Sequence, residues 1–113
     1  NICVVVRDVL HEGTGLPSDS QDACLLFNIL HAEDPVNLLN EAARVVKPGG
    51  LVLVTHWRYD DSTPRGPSLD IRPRPEDIQR WAVECKTLVP EAALIALPPY
   101  HYGLRLHKLI RHQ

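Results

Sequence analysis

Methionine is absent from this 113-residue chain, phenylalanine occurs once, and aromatic residues amount to 5%. Without methionine, Asn1 is not a translation start as it stands, so a fragment or a processed product is expected. No apolar run approaches the roughly 18 residues of a membrane span, and no charged-then-apolar leader opens the chain. The expectation is a soluble, untargeted protein with no membrane partner. Excess charge is also lacking: 12 Lys and Arg stand against 14 Asp and Glu, for a net charge of −2. The basic residues are scattered, which excludes the continuous cationic face that sequence-independent nucleic-acid binding needs. The three cysteines, Cys3, Cys24 and Cys85, are odd in number and show no zinc spacing. Cys3 and Cys24 sit in apolar runs, where a free thiol packs as a small hydrophobe, so a reducing cytoplasm is the expected compartment. There is no internal repeat and no low-complexity tract.

What is present suffices for one domain over residues 1–113, with 44% hydrophobic and 23% charged residues. Ile2–Val6 is a short, β-branched run that reads as a buried strand ending at Arg7-Asp8. His11–Ser20 concentrates Gly13, Gly15, Pro17 and Asp19 and reads as loop. Asp22–Phe27 is a second buried strand. Asp34-Pro35 supplies an N-cap acceptor followed by proline at the first helical position, where its missing N–H is not needed. The helix it starts runs to about Val46, with Val36, Leu39, Ala43 and Val46 on one face. Lys47 suits the negative end of the helix dipole, and Pro48-Gly49-Gly50 stops the helix before a third strand, Leu51–Thr55. Residues 58–74 are too polar to bury and read as an ordered loop or lid. Pro75 opens a second helix, acidic at Glu76 and Asp77, with Ile78, Trp81, Ala82 and Cys85 facing a core. Ala92–Leu97 and Tyr102–Leu109, separated by Pro98-Pro99, read as a terminal hairpin.

Strand, loop, strand, helix, strand, helix, strand, strand is the order of an α/β domain, a mostly parallel sheet closed by an antiparallel hairpin. The first three strands are expected to be buried on both faces, as parallel strands usually are. At this level the resemblance to a family becomes specific. The ordered set Val6-Arg7-Asp8-Val9, Leu16-Pro17, Asp22-Ala23-Cys24-Leu25, Leu30-His31, Asp34-Pro35, Glu41, Arg44-Val45 and Lys47-Pro48-Gly49-Gly50 is similar to the second half of small-molecule, type 11-like class I S-adenosylmethionine-dependent methyltransferases.

That resemblance implies a Rossmann-like sheet of order 3-2-1-4-5-7-6, with S-adenosylmethionine lying across the carboxyl ends of the strands at the topological switch point. The chain corresponds to the family's third strand onward and lacks the glycine-rich turn after strand one. Gly13 and Gly15 follow the wrong strand and precede no helix, so they are rejected as that turn. Cofactor binding by this chain alone is therefore in question, and the expectation is a truncated methyltransferase domain. Without strands one and two, the fourth family strand is left with an open edge. Rearranged pairing, homo-oligomer formation or pairing with a missing amino-terminal half is the expected consequence.

Carried over by position, the cofactor-binding candidates are Asp8, which the resemblance places near the adenine amine, Val9 beside it, and Phe27 and Asn28 along the methionine part. Asp8 has a second reading as the cap of the following turn, and Asn28 as the residue that fixes its own turn. His31 and Glu33 fall where a substrate would approach, and His is the side chain best matched to proton transfer near neutrality. Packing or capping is the other reading of His31. His56, Trp57, Arg58 and Tyr59 suit stacking on, or pairing with, an acidic or aromatic substrate, or else form an exposed rim. His101 reaches the same rim or punctuates the hairpin. The sequence names no catalytic residue, because an activated sulfonium asks chiefly for alignment. Two functions stand at this stage: methyl transfer to a small molecule, and a non-catalytic half-fold that acts by association with itself or another chain. A nucleotide binder of another family would need a phosphate-cradling glycine loop at a helix start, and none is visible.

Overall fold

A computed structural model describes residues 5–110. The elements are α1 (Val9–Glu12), β1 (Gln21–Phe27), α2 (Pro35–Val45), β2 (Val46–Trp57), α3 (Pro75–Glu84), β3 (Leu88–Pro90), β4 (Ile95–Leu97) and β5 (His101–Lys108). β1 pairs in parallel with β2, β2 pairs antiparallel with β5, and both β3 and β4 pair antiparallel with β5. Four of the five strands therefore point the same way and β5 alone opposes them, in the spatial order β1-β2-β5-β3 with β4 also on β5. This is the expected α/β sheet with its antiparallel carboxyl-terminal hairpin.

α2 starts as its sequence demands, with the Asp34 carboxylate accepting from Asn37 N at 3.0 Å and Pro35 in the first turn. Such a cap stabilises a helix by about 1 kcal/mol. The helix ends at Val45, and Val46 is already extended at φ −79° and ψ 140°. Pro48 disfavours helical geometry at the residue before it, so the chain leaves the helix ahead of the proline rather than at the Pro-Gly-Gly itself. β2 accordingly starts at Val46, earlier than Leu51. Gln21 pairs with Val46 and Ala23 with Leu51, so Lys47–Gly50 bulge out of register, with Gly49 at φ +82°. Lys47 turns to Asp22 at 3.2 Å.

α3 begins at Pro75, where Asp77 accepts from Arg74 N at 2.9 Å, and it buries Ile78 and Ala82. Side-chain alternation then assigns the two faces of the sheet. Leu26, Val52, Val54, His56, Tyr102, Leu104 and Leu106 are buried on one face against Leu39, Ala43, Ile78 and Ala82 of α2 and α3. The register places Ala23, Leu25 and Phe27 with Leu51, Leu53, Thr55, Gly103 and Arg105 on the other. Leu25 and Phe27 there are 55% and 53% exposed.

Several expectations are corrected here. β1 and β2 are covered on one face only, because both long helices pack on the same side. Of the expected strand Ile2–Val6, residues 2–4 lie outside the described residues, while Val5 and Val6 are exposed and unpaired. β1 is the terminal strand of the described sheet, so no neighbouring strand takes them up. The start of the expected loop at His11 belongs to α1, whose turn closes when Asp8 O accepts from His11 N and Glu12 N. The strand expected over Ala92–Leu97 shortens to β4, and β3, formed against Pro90–Leu88's partners Leu106–Lys108, was not anticipated.

Candidate functional site

Three segments frame the site: the stretch that precedes β1, and the loops that follow β1 and β2 at their carboxyl ends. The first is the segment before β1, fixed by a polar node on α2. Glu41 accepts from Thr14 N and Thr14 Oγ1, both at 2.7 Å, and from Arg44 Nε at 2.7 Å. Arg44 reaches on to Leu16 O and Ser18 Oγ. The Arg44 guanidinium first, with the Thr14 donors, holds the Glu41 carboxyl down at about 2 against burial that raises it. Gly13 and Gly15 serve this node: a Cβ on Gly13 would meet the Glu41 carboxylate at 3.1 Å, and one on Gly15 would meet the Arg7 guanidinium at 3.0 Å. Both glycines are turn residues packed on the chain's own side chains.

α1 rests against the start of α2, where Asn37 Nδ2 donates to Leu10 O, and Val9 packs against the core. Asp8 is exposed at the start of α1 and accepts from His11 Nδ1 at 2.6 Å. That bond holds the Asp8 carboxyl below its usual range and raises the His11 imidazole, with Glu33 adding to the latter. The side chain makes no capping bond to the helix backbone.

The second loop follows β1. Asn28 sits in the left-handed region at φ 58° and donates N–H to Thr55 O at 2.8 Å, which fixes the turn. Its Oδ1 is buried without a hydrogen-bond partner among the described residues. Beside it His31 Nδ1 lies 3.4 Å from His56 Nε2, with the rings edge to face at 5.5 Å. His56 is fully buried, and its Nδ1 has no partner among the described residues. Burial first, with the nearby positive charge of Arg72, pushes this imidazole down to about 4, so it is neutral at physiological pH.

The third loop, residues 58–74, is ordered by one buried side chain. Arg72 donates to Arg58 O, Asp60 O, Thr63 Oγ1 and Pro67 O. Tyr102 OH adds a bond to Pro73 O at 3.0 Å. Between this loop, the start of α3 and the β4–β5 hairpin opens a cavity of about 610 Å³. Arg58 and Tyr59 line it, Trp57 lies behind with its ring 4.2 Å from that of His101, and Arg74 stacks on Tyr59 at 4.3 Å.

The structure thus brings His31 to His56, and Trp57, Arg58, Tyr59 and His101 to one rim. Asp8 and Val9 stand on α1, at the same end of the sheet, and Phe27 projects from the open face. Arg72, Arg74 and the hairpin residues Leu94 and Leu97 had not been singled out in the sequence. The signal for Arg72 and Arg74 was weak: both lie in an Arg-Pro repeat that composition alone marks as loop. Among the described residues no group of three His, Cys, Asp or Glu could hold a metal. No helix among them is long and apolar enough to cross a membrane.

For S-adenosylmethionine, which the fold implies, the fit covers one half of the molecule. An exposed acidic acceptor at Asp8, the apolar Val9 and Phe27, and the orphaned amide oxygen of Asn28 suit the adenine and methionine sides. The glycine turn and ribose-binding acid have no counterpart among the described residues.

Comparison with known proteins agrees with this geometry. The family model described as a methyltransferase domain matches residues 2–54. A solved protein of Sulfolobus solfataricus, assigned as a type 11 methyltransferase, superposes with a TM-score of 0.70 at 29% identity, covering 88% of this chain and 56% of its own. A SAM-dependent methyltransferase of Aquifex aeolicus gives 0.73 at 17% identity, over 84% of this chain and 50% of its own. The cyclase SpnF gives 0.74 at 13% identity, over 95% and 56%. No curated protein matches the sequence. The chain spans about half the length of the solved proteins it resembles. With residues 2–54 matched by the methyltransferase-domain model and most of the chain superposing on these solved proteins, the chain is similar to the class I S-adenosylmethionine-dependent methyltransferases.

Proposed function

We propose that this chain forms the acceptor-side part of a methyltransferase site that acts on a small molecule. One observation carries this reading. At the carboxyl ends of β1 and β2, two buried polar atoms, Asn28 Oδ1 and His56 Nδ1, have no partner among the described residues, with His31 in contact with His56 and Trp57 and Arg58 directly following it in the chain. Buried polar groups normally find partners, and clusters of exceptions mark functional sites. In this reading Asp8 and Val9 hold the adenine of S-adenosylmethionine, while Phe27 and Asn28 line its methionine portion. When bound, the cofactor supplies a methyl group on an already activated sulfonium. The protein's share is then alignment of the acceptor, worth several kcal/mol in well-oriented systems (about 7 or more), and removal of a proton where the acceptor carries one. His31, half-buried and held by neutral His56, is the group positioned for that removal. Trp57 and Arg58 orient the acceptor.

Calorimetric titration with S-adenosylhomocysteine tests the proposal. Saturable uptake that falls on Asn28→Ala is the expected result, and no uptake by the full chain would sink it.

A second reading has its own observation, the open face and edge of β1 with Leu25 and Phe27 exposed. It makes the chain a half-fold that functions by associating with a second copy of itself. Calorimetry with S-adenosylhomocysteine separates the two, since this reading requires association of the chain without uptake of the cofactor.

A further inference from the structure

The cavity of about 610 Å³ beyond β2 has a composition that selects its ligand. Its floor is apolar, formed by Leu94, Leu97 and Pro98 on the hairpin. Its rim carries two guanidinium groups, Arg58 and Arg74, against a single carboxylate, Glu76. Arg58 is held in place: Nη1 donates to Pro99 O at 3.2 Å, and Nη2 stands 3.9 Å from Asp60 Oδ2. Arg74 is different, because its guanidinium has no hydrogen-bond acceptor among the described residues and is oriented only by the face of Tyr59, 4.3 Å away. A guanidinium stacked on an aromatic ring presents its N–H edge sideways, the geometry for a fork onto a carboxylate. The volume lies within the usual range for a drug-sized molecule, roughly 300–1,000 Å³.

We infer that this cavity binds a flat hydrophobic monocarboxylate, with its apolar body on the β4–β5 floor and its carboxylate on the Arg74 and Arg58 edges. Glu76 disfavours a second negative charge on the same ligand. The inference rests on the acceptor-side reading above and names the substrate class of that site.

Naphthalene-2-carboxylate and the neutral naphthalene-2-carboxamide serve as test ligands for the full chain, by calorimetry and by the fluorescence of Trp57, which stacks on the cavity residue His101. The carboxylate should bind at least about tenfold more tightly than the amide, a difference of about 1.4 kcal/mol. Arg74→Gln and Arg58→Gln should each erase most of that difference while leaving amide binding unchanged. Arg74 is exposed, so an unaltered unfolding midpoint for Arg74→Gln serves as the folding control. Leu97→Glu should abolish binding of the carboxylate more completely than of the amide. Equal affinity for the two ligands, no saturable binding of either, or an Arg74→Gln variant that still prefers the carboxylate would overturn the assignment. Binding of the carboxylate without uptake of S-adenosylhomocysteine would leave the cavity's ligand class standing and remove methyl transfer. Uptake without carboxylate binding would do the reverse.

Discussion

His56 and Asp8 show how far single residues carry the chemistry. His56 stands out in the sequence from its place just after a buried strand, but its burial does not, because a histidine at a strand's end is usually wet. The alternation that buries Val52 and Val54 also buries His56, and the imidazole is neutral as a result. With the folded value near 4 and the unfolded value near 6.5, the unfolded chain binds the extra proton as pH falls between them. Stability is therefore fully present above about pH 6.5 and is lost progressively down to about 4, by up to about 3 kcal/mol. Urea unfolding at pH 7.5 and pH 5 should show this drop, and His56→Gln should flatten it. An equally steep pH dependence in the variant would assign the effect to other groups. Asp8 is the opposite case, an exposed carboxylate whose hydrogen bond to His11 was not anticipated. Asp8→Ala should weaken S-adenosylhomocysteine uptake measured by calorimetry about tenfold if the carboxylate meets the adenine amine, whereas His11→Ala, which frees that carboxylate, should not. Unchanged affinity in Asp8→Ala would leave Asp8 with only its His11 contact.

At the level of elements, residues with strong local rules were read correctly and those governed by distant partners were not. Asp34-Pro35 and Pro75 start helices because capping and proline geometry are local, and α2 and α3 begin where expected. The bulge at Lys47–Gly50 depends on the register of β1 against β2, which no local pattern encodes. β3 was invisible because three residues cannot display a period, and it exists through pairing with β5. The polar composition of residues 58–74 marks a loop, one expected to be ordered because the segments on either side are too small to be separate domains, and the structure supplies the physical reason in Arg72. A buried guanidinium satisfied by three carbonyls and a hydroxyl is a tie point whose loss leaves those acceptors unpaired. Arg72→Ala should cost about 2–4 kcal/mol, as typical for breaking a buried charged network, and should open the loop to protease. Arg72→Lys should rescue only part, since one ammonium cannot span the same acceptors. Limited proteolysis with cleavage mapped by mass spectrometry checks both, and a protease-resistant loop in Arg72→Ala would remove the tie-point role. Glu41→Gln makes the matching test for the 13–18 segment: loss of the Arg44 pair should destabilise the chain by about 1–3 kcal/mol near neutral pH, read by urea unfolding. Because the Glu41 carboxyl is held at about 2 against an ordinary 4.5, its contribution in the native protein is present above about pH 4.5 and fades as pH falls toward 2.

The molecule as a whole was legible as a family sheet, yet its shape was not, because a chain's hydrophobic strands state that they want cover without stating which side receives it. α2 and α3 both pack against the face that carries Val54 and Leu104, leaving Leu25 and Phe27 exposed beside Leu51 and Leu53 in register on the other. The β1 edge has no partner strand among the described residues. An open apolar face that continues to an unpaired edge favours pairing with a second chain over remaining in water. Sedimentation velocity at micromolar concentration should accordingly show a concentration-dependent dimer. Leu25→Glu combined with Phe27→Glu should shift it to monomer with little change in helical content, because neither side chain belongs to the core between sheet and helices. If the double variant dimerises as strongly as the parent, the association runs through another surface. If the parent is monomeric across the concentration range, the open face does not drive assembly and the half-fold reading loses its support. The cavity beyond β2 and the buried His56 then remain as the features on which the proposed function rests.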